Sequence, residues 1–269
     1  MGGGRLDPRE LWRQYSQNKQ AVRELAGQYS VSESTVKRRL RTVRGDFMCR
    51  DIPSRGAVLM DTAYFGKDWG VTVLKDSLTG KILCRKYVIH ERPVDYRECT
   101  DFIMAKGHRI SGIVRDGFKG IFKQYSSFPV QMCRYHFISI IRRYLTLNPK
   151  LQSGKELWIS VKNITRLTEN EFIESFQEWQ DKWSLFLKER TKDVATGRSH
   201  FTHKKLRSAW LSTQRHLPYL FVFEKVNFQM PNTNNALKGT FTALKNSLRN
   251  HNGMSKENRK RFMDGFLEA

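Results

Sequence analysis

Between Ala57 and Arg134 short β-branched and aromatic runs alternate with turn formers in an order that few architectures accept. Ala57 to Phe65, Gly70 to Leu74 and Ile82 to His90 are strand-like, and Asp76-Ser77-Leu78-Thr79-Gly80 supplies a turn between the last two. Three consecutive antiparallel strands fit these short connections. An apolar-periodic helix around Tyr96 to Lys106 follows. Then come a strand from Arg109 to Arg115, a short helix after Gly117, a short strand at Val130 to Met132 and a helix from Arg134. The order predicts an α/β (α+β) fold, a mixed sheet flanked by helices, although other α/β domains share parts of it.

Charge narrows the partner. The chain of 269 residues carries 48 Lys and Arg against 26 Asp and Glu, a net charge of +22. A polyanion is the expected partner; a basic ribosome-associated or membrane-surface factor is the competing class. The four cysteines, Cys49, Cys84, Cys99 and Cys133, form no Cys-x-x-Cys pair, so neither a zinc ribbon nor a disulfide framework is expected. They read as reduced and cytosolic. The start, Met1-Gly2-Gly3-Gly4-Arg5-Leu6, leads into polar helical sequence and lacks the Ser or Thr of a myristoylation signal. With no run of about 18 apolar residues, no membrane partner is expected.

From Arg9 to Val43 the pattern is helical, with Val22, Leu25, Ala26 and Tyr29 on one face and Val36 and Leu40 on another. Ser30-Val31-Ser32 between them can supply a turn and an N-cap. The second helix carries Ser34, Thr35, Lys37, Arg38, Arg39 and Arg41, which suits the recognition helix of a helix-turn-helix; a basic helical hairpin that only packs would look similar. Gly45, Asp46, Pro53, Ser54 and Gly56 mark a linker. Farther on, Phe172, Phe176, Trp179, Trp183 and Phe186 recur at helical spacing and are expected to pack as a core. Trp210, among Lys204, Lys205, Arg207 and Arg215, is the better placed aromatic for stacking on a base, with a structural role favoured even there. Helices are expected from Asn235 to Leu248 and from Lys256 to Phe266, the first capped by Thr233 or Asn234. The expected division is a helix-turn-helix module over 1–46, a linker over 47–56, the first part of the core over 57–150, a helical insertion over 151–226 and closing helices over 227–269.

Two of the apolar runs end in acids. Asp61 follows Ala57-Val58-Leu59-Met60, and Asp116 follows Ile113-Val114-Arg115. Asp116 opens Asp116-Gly117-Phe118-Lys119-Gly120-Ile121, and Pro129-Val130-Gln131-Met132-Cys133-Arg134-Tyr135-His136 comes next. Far downstream stands Thr233-Asn234-Asn235-Ala236-Leu237-Lys238-Gly239. This ordered set, from about Ala57 to the C-terminus, resembles the Mutator-like transposases of bacterial insertion sequences. The resemblance implies a ribonuclease-H-like core preceded by the helix-turn-helix module, and a DDE site in which Asp61 and Asp116 hold Mg2+ or Mn2+. Carboxylates suit that chemistry, since hard divalent cations take anionic oxygens and keep several waters. Cys133 and His136 match the family's Cys-x-x-His signature near the active centre; too few for a zinc site, they are read as contacting phosphate, orienting a neighbour, or simply structural.

The family's third acid is replaced by Lys238. The acids of a two-ion site are then incomplete, and two ions are expected only if the acid is restored. The expected activity is binding of transposon-end inverted repeats followed by DNA cleavage and strand transfer, impaired by Lys238. A transposase-derived regulator that binds DNA without cutting it is the alternative, and a nuclease acting on RNA-containing substrates is a third. The partner is double-stranded DNA, the protein a homo-oligomer on paired ends, and the location the bacterial cytoplasm at the nucleoid.

Overall fold

The computed structural model describes residues 7–18, 20–43, 52–117, 120–251 and 253–267. Gly45 and Asp46 of the expected linker, Cys49, and Phe118 and Lys119 of the glycine-flanked motif lie outside the described residues. Helices α1 (Pro8–Ser16), α2 (Val22–Gln28) and α3 (Glu33–Thr42) come first. They are followed by β1 (Arg55–Tyr64), β2 (Gly70–Asp76), β3 (Ile82–Val88), α4 (Pro93–Ala105), β4 (Arg109–Arg115), α5 (Ile121–Gln124), β5 (Val130–Met132) and α6 (Arg134–Leu145). This is the order expected over that stretch, with boundaries moved by a few residues. Beyond it lie α7 (Gln152–Lys162), α8 (Glu169–Trp183), β6 (Arg190–Lys192), β7 (Ser199–Phe201), α9 (Lys204–His216), α10 (Val222–Lys225), α11 (Asn235–Arg249) and α12 (Lys256–Leu267).

The main sheet has five strands in the order β3-β2-β1-β4-β5. Strands β2 and β3 pair antiparallel from Gly70 opposite Val88 to Lys75 opposite Ile82, with a register shift at Leu74 and Lys75. Strands β4 and β5 pair parallel, Ile113 to Arg115 against Val130 to Met132. The protein is therefore a mixed α/β fold. Strand β1 shows why it takes the middle. Its residues from Gly56 to Met60 are all buried, the unbroken burial of a strand covered on both faces.

The chain divides into two compact units, one of Met1–Ser54, Thr62–Arg109 and Asn235–Ala269, the other of Arg55–Asp61 and Ile110–Asn234. In the first, Leu11, Leu25, Val36 and Leu40 form the buried centre of α1 to α3. The Ser32 hydroxyl accepts the Thr35 N–H at 3.2 Å, so this serine caps α3 as expected. Helix α12 packs on α1, and the approach depends on Gly265: a Cβ there would stand 2.4 Å from Trp12 Nε1. The Tyr15 ring lies 4.5 Å from His251 and 5.4 Å from Phe262. Arg261 donates to the carbonyls of Leu40 and Val43 at 3.2 and 2.8 Å, satisfying acceptors that the end of α3 leaves open.

The second unit owes its core to the aromatic stripe. Phe172, Phe176 and Trp179 are buried on α8 against Phe137 and Ile141 of α6, and Trp183 and Phe186 pack at the margin. Trp210 is half-buried and donates its indole N–H to Gln180 at 2.7 Å, an anchored structural residue. Antiparallel β6 and β7 form a ribbon that the helical texture of this region does not lead one to expect.

Helices α7 and α8 are also joined by Glu156. It accepts from the Lys182 ammonium and the Trp183 indole, each at 2.8 Å. The Lys182 bond above all, then Trp183, lowers its carboxyl from 4.5 to about 2. A depressed carboxyl adds stability that is complete above its unfolded value and is lost as pH falls through the folded one. Thermal unfolding followed from pH 5 down to pH 2 should therefore show a shallower fall in Tm for Glu156→Gln than for the parent. Identical slopes would mean that the interaction contributes nothing.

Candidate active site

Asp61 and Asp116 belong to the same unit. Asp61 lies within β1, and Asp116 is the first residue after β4, its hydrogen-bonded neighbour in the sheet. Both are half-buried. Each carboxylate is engaged by a group that the amino-acid order does not assign to it. The Asn234 amide donates to Asp61 Oδ2 at 3.3 Å. The Arg115 guanidinium donates to Asp116 Oδ1 at 2.5 Å and to the Asp116 carbonyl at 3.2 Å.

Arg115 is fully buried, so its charge sits in a medium that screens poorly, and the adjacent carboxylate is its compensation. Arginine is common on surfaces, and nothing local marks this one as internal. Asn234 is likewise fully buried, and its Oδ1 has no partner among the described residues. The side chain therefore does not cap α11, as its place in the sequence allowed; it reaches Asp61 instead. A buried amide oxygen without a partner costs about 1–3 kcal/mol, which a hydrogen-bond donor or a cation could relieve.

Beside Asp116 a cleft of about 570 Å³ is lined by Gly117, His136, Ser139, Ile140, Arg142 and Arg143. It is built by the turn after β4 and one face of α6. Gly117 is small for a reason: a Cβ would lie 2.7 Å from the Met132 methyl and 3.3 Å from His216 Nε2. His136 lines this cleft, whereas Cys133, one turn earlier, is completely buried. The two halves of the Cys-x-x-His motif thus have different surroundings. Between them stands Arg134, also buried, which donates to the Leu220 carbonyl at 3.1 Å and to Glu224 at 3.2 Å. Its guanidinium lies over Phe221 and Phe223 at 4.2 and 4.5 Å.

His216, which no sequence motif singles out, lies in the last turn of α9 with its ring near Phe122 and Phe137. Burial pushes its pKa below the usual imidazole range, and in the neutral ring Nδ1 donates to the Ser212 carbonyl at 2.8 Å. Nε2 then carries the lone pair on the side of Gly117.

Lys238 belongs to the other unit, half-buried in the first turn of α11. That turn is tied down by Lys75 of β2, which donates to the Ala236 carbonyl at 3.3 Å and to Thr240 at 2.8 Å. Of the residues expected to form a recognition helix, Ser34, Lys37, Arg38, Arg39 and Arg41 are exposed along α3, and Thr35 is half-buried. The Ser34 and Thr35 hydroxyls lie 2.8 and 3.0 Å from Ser32 Oγ, inside the cap cluster, which leaves the basic side chains as the outward groups.

Among the described residues no group of three or more His, Cys, Asp or Glu side chains converges as a metal site. Asp61 and Asp116 carry the hard anionic oxygens that a divalent ion takes, while Arg115 opposes such binding by holding Asp116. Among the described residues no helix is long and apolar enough to cross a membrane.

No protein-family model matches the chain, and no curated protein does. Among solved structures it is similar to a chain in the cryo-EM structure of the simian T-cell lymphotropic virus intasome in complex with PP2A regulatory subunit B56 gamma. The identity is 12% and the TM-score 0.27, covering 58% of this chain and 63% of that one, less than two thirds of its length.

Proposed function

We propose that the chain is a DNA transposase of the Mutator-like kind, with a ribonuclease-H-like core and impaired cutting. The observation that carries this reading is the placement of Asp61 and Asp116 on neighbouring strands, with Asn234 of the Thr-Asn-Asn motif bonded to the first. Mg2+ or Mn2+, when bound, supplies activation of the attacking oxygen and stabilisation of the leaving one. Asp61 and Asp116 would hold the ion, and Asn234 orients Asp61. Arg142 and Arg143, exposed at the cleft, would seat a phosphate of the strand being cut, and His136 faces the same space. Helix α3, with Arg38 and Arg39 outward, would read or grip duplex DNA at the transposon ends, the protein acting as a homo-oligomer on paired ends.

Two observations favour a DNA-binding regulator as the second reading. Lys238 stands where the resemblance wants an acid, and Arg115 already compensates Asp116. Both readings require duplex binding, and this can be measured first. Fluorescence anisotropy with duplex DNA across a salt series should show tight binding by the parent and by Asp61→Ala. The pair Arg38→Ala and Arg39→Ala should flatten the logarithmic salt dependence by about 2, roughly 0.9 for each phosphate no longer neutralised. A parent chain that binds no duplex at physiological salt would remove both readings.

A further inference from the structure

Strands β6 and β7 are short, and every residue of β6 is exposed. The turn joining them ends in Gly197, whose φ of +67° suits a glycine, and it leaves Val194 fully exposed at 102%. Lys188, Arg190, Lys192, Arg198, Lys204 and Lys205 are all exposed on the ribbon and at its base. Only two acids interrupt them, and both are consumed internally. Glu189 pairs with His203 at 2.9 Å, while Asp193 accepts the N–H groups of Ala195 and Thr196 at 2.9 and 3.0 Å and so shapes the turn. The ribbon therefore presents a net positive charge, its basic side chains outnumbering the two acids.

That charge is also preorganised. Arg190 donates to the Ser199 hydroxyl and carbonyl at 2.9 and 3.1 Å and lies over Phe201 at 4.6 Å. Arg207 lies over the same ring at 3.9 Å. Fixing guanidinium groups in advance lowers the entropy lost when they meet a partner. A two-stranded ribbon is also one of the two protein shapes that the major groove of duplex DNA admits.

From these observations we infer that the β6–β7 ribbon is a second duplex-DNA contact, entering a groove with Val194 leading and Arg190, Lys192 and Arg198 against the flanking phosphates. The inference rests on the DNA-binding reading above and adds an element that the helix-turn-helix does not supply. It makes binding more salt-sensitive than α3 alone would.

Anisotropy of the full chain on a 30-base-pair duplex tests it. The triple variant Arg190→Ala, Lys192→Ala, Arg198→Ala should weaken binding about tenfold or more near physiological salt and lower the slope by about 2 to 3. The charge-preserving variant Arg190→Lys, Lys192→Arg, Arg198→Lys should restore most of both. A triple variant with the parent's melting curve, affinity and slope overturns the ribbon's role, whereas a parent that binds no duplex overturns the underlying reading. Tighter binding to single strands of the same sequence would sink the groove assignment. If the triple variant does not fold, Val194→Cys carrying a photocrosslinker decides. It should crosslink duplex DNA well above the labelled parent, and an equal yield overturns the proposal.

Discussion

Replacing Lys238 by glutamate is expected to raise Mg2+-dependent nicking of transposon-end DNA by about a hundredfold or more, from a parent rate close to background. The substitution removes an ammonium and supplies a carboxylate at the position where the resemblance calls for the third acid. Single electrostatic groups in such centres are worth about 10²–10³ in rate. The same gain should vanish in Asp61→Ala with Lys238→Glu, because the proposed chemistry requires the Asp61 carboxylate as well. Asn234→Ala in the restored background should cost about tenfold to a hundredfold, the usual effect of losing a group that orients a metal-binding carboxylate. Duplex binding measured alongside separates the outcomes. If Lys238→Glu binds DNA as the parent does and nicks none of it, the enzymatic reading fails and the regulator stands.

The second large effect concerns stability. Arg134→Ala should destabilise the second unit by about 3–5 kcal/mol, since it leaves buried acceptors without their donor. For a chain of this size that corresponds to a fall in Tm of about 10 °C. Arg134 spends its guanidinium on the Leu220 carbonyl and Glu224 while resting on Phe221 and Phe223. Burial lowers its pKa, opposed by Glu224, yet a guanidinium keeps its proton in this setting. Arg134→Lys should fall between parent and Ala, because an ammonium keeps the charge but cannot stack and fork together. The double variant Arg134→Ala, Glu224→Ala should lose less than the sum of the singles. A melting curve of Arg134→Ala within about 2 °C of the parent would show that the guanidinium is a bystander, and that the motif around it serves chemistry alone.

Much of the chain was legible because it is written locally. Strand β4 could be bounded from Arg109 to Arg115 as a short apolar run between Gly107 and Gly117, and Ser32 could be named as a cap from its place before a basic amphipathic run. The aromatic stripe of α8 announced its own burial by spacing. The β6–β7 ribbon escaped notice because its strands are only three residues each, too short to show a period against the surrounding helical texture. Arg115 and Arg134 escaped it because residue type argues for the surface, and only a carboxylate, a carbonyl and aromatic faces supplied by the fold make their burial tolerable.

The amino-acid order by itself determined the succession of strands and helices, the two acids at the ends of apolar runs, the positive charge and the lysine at residue 238. Those properties depend on a few adjacent residues, where backbone preference and side-chain periodicity act without knowledge of distant chain. The folded molecule alone decided that β1 lies between β2 and β4, that Asn234 spans 173 positions to reach Asp61, that Arg115 closes on Asp116, and that Gly265 lets α12 settle against Trp12. Contacts of that kind are selected by shared burial and by the need to satisfy polar groups out of water. Their partners are chosen by the whole packing rather than by the local sequence.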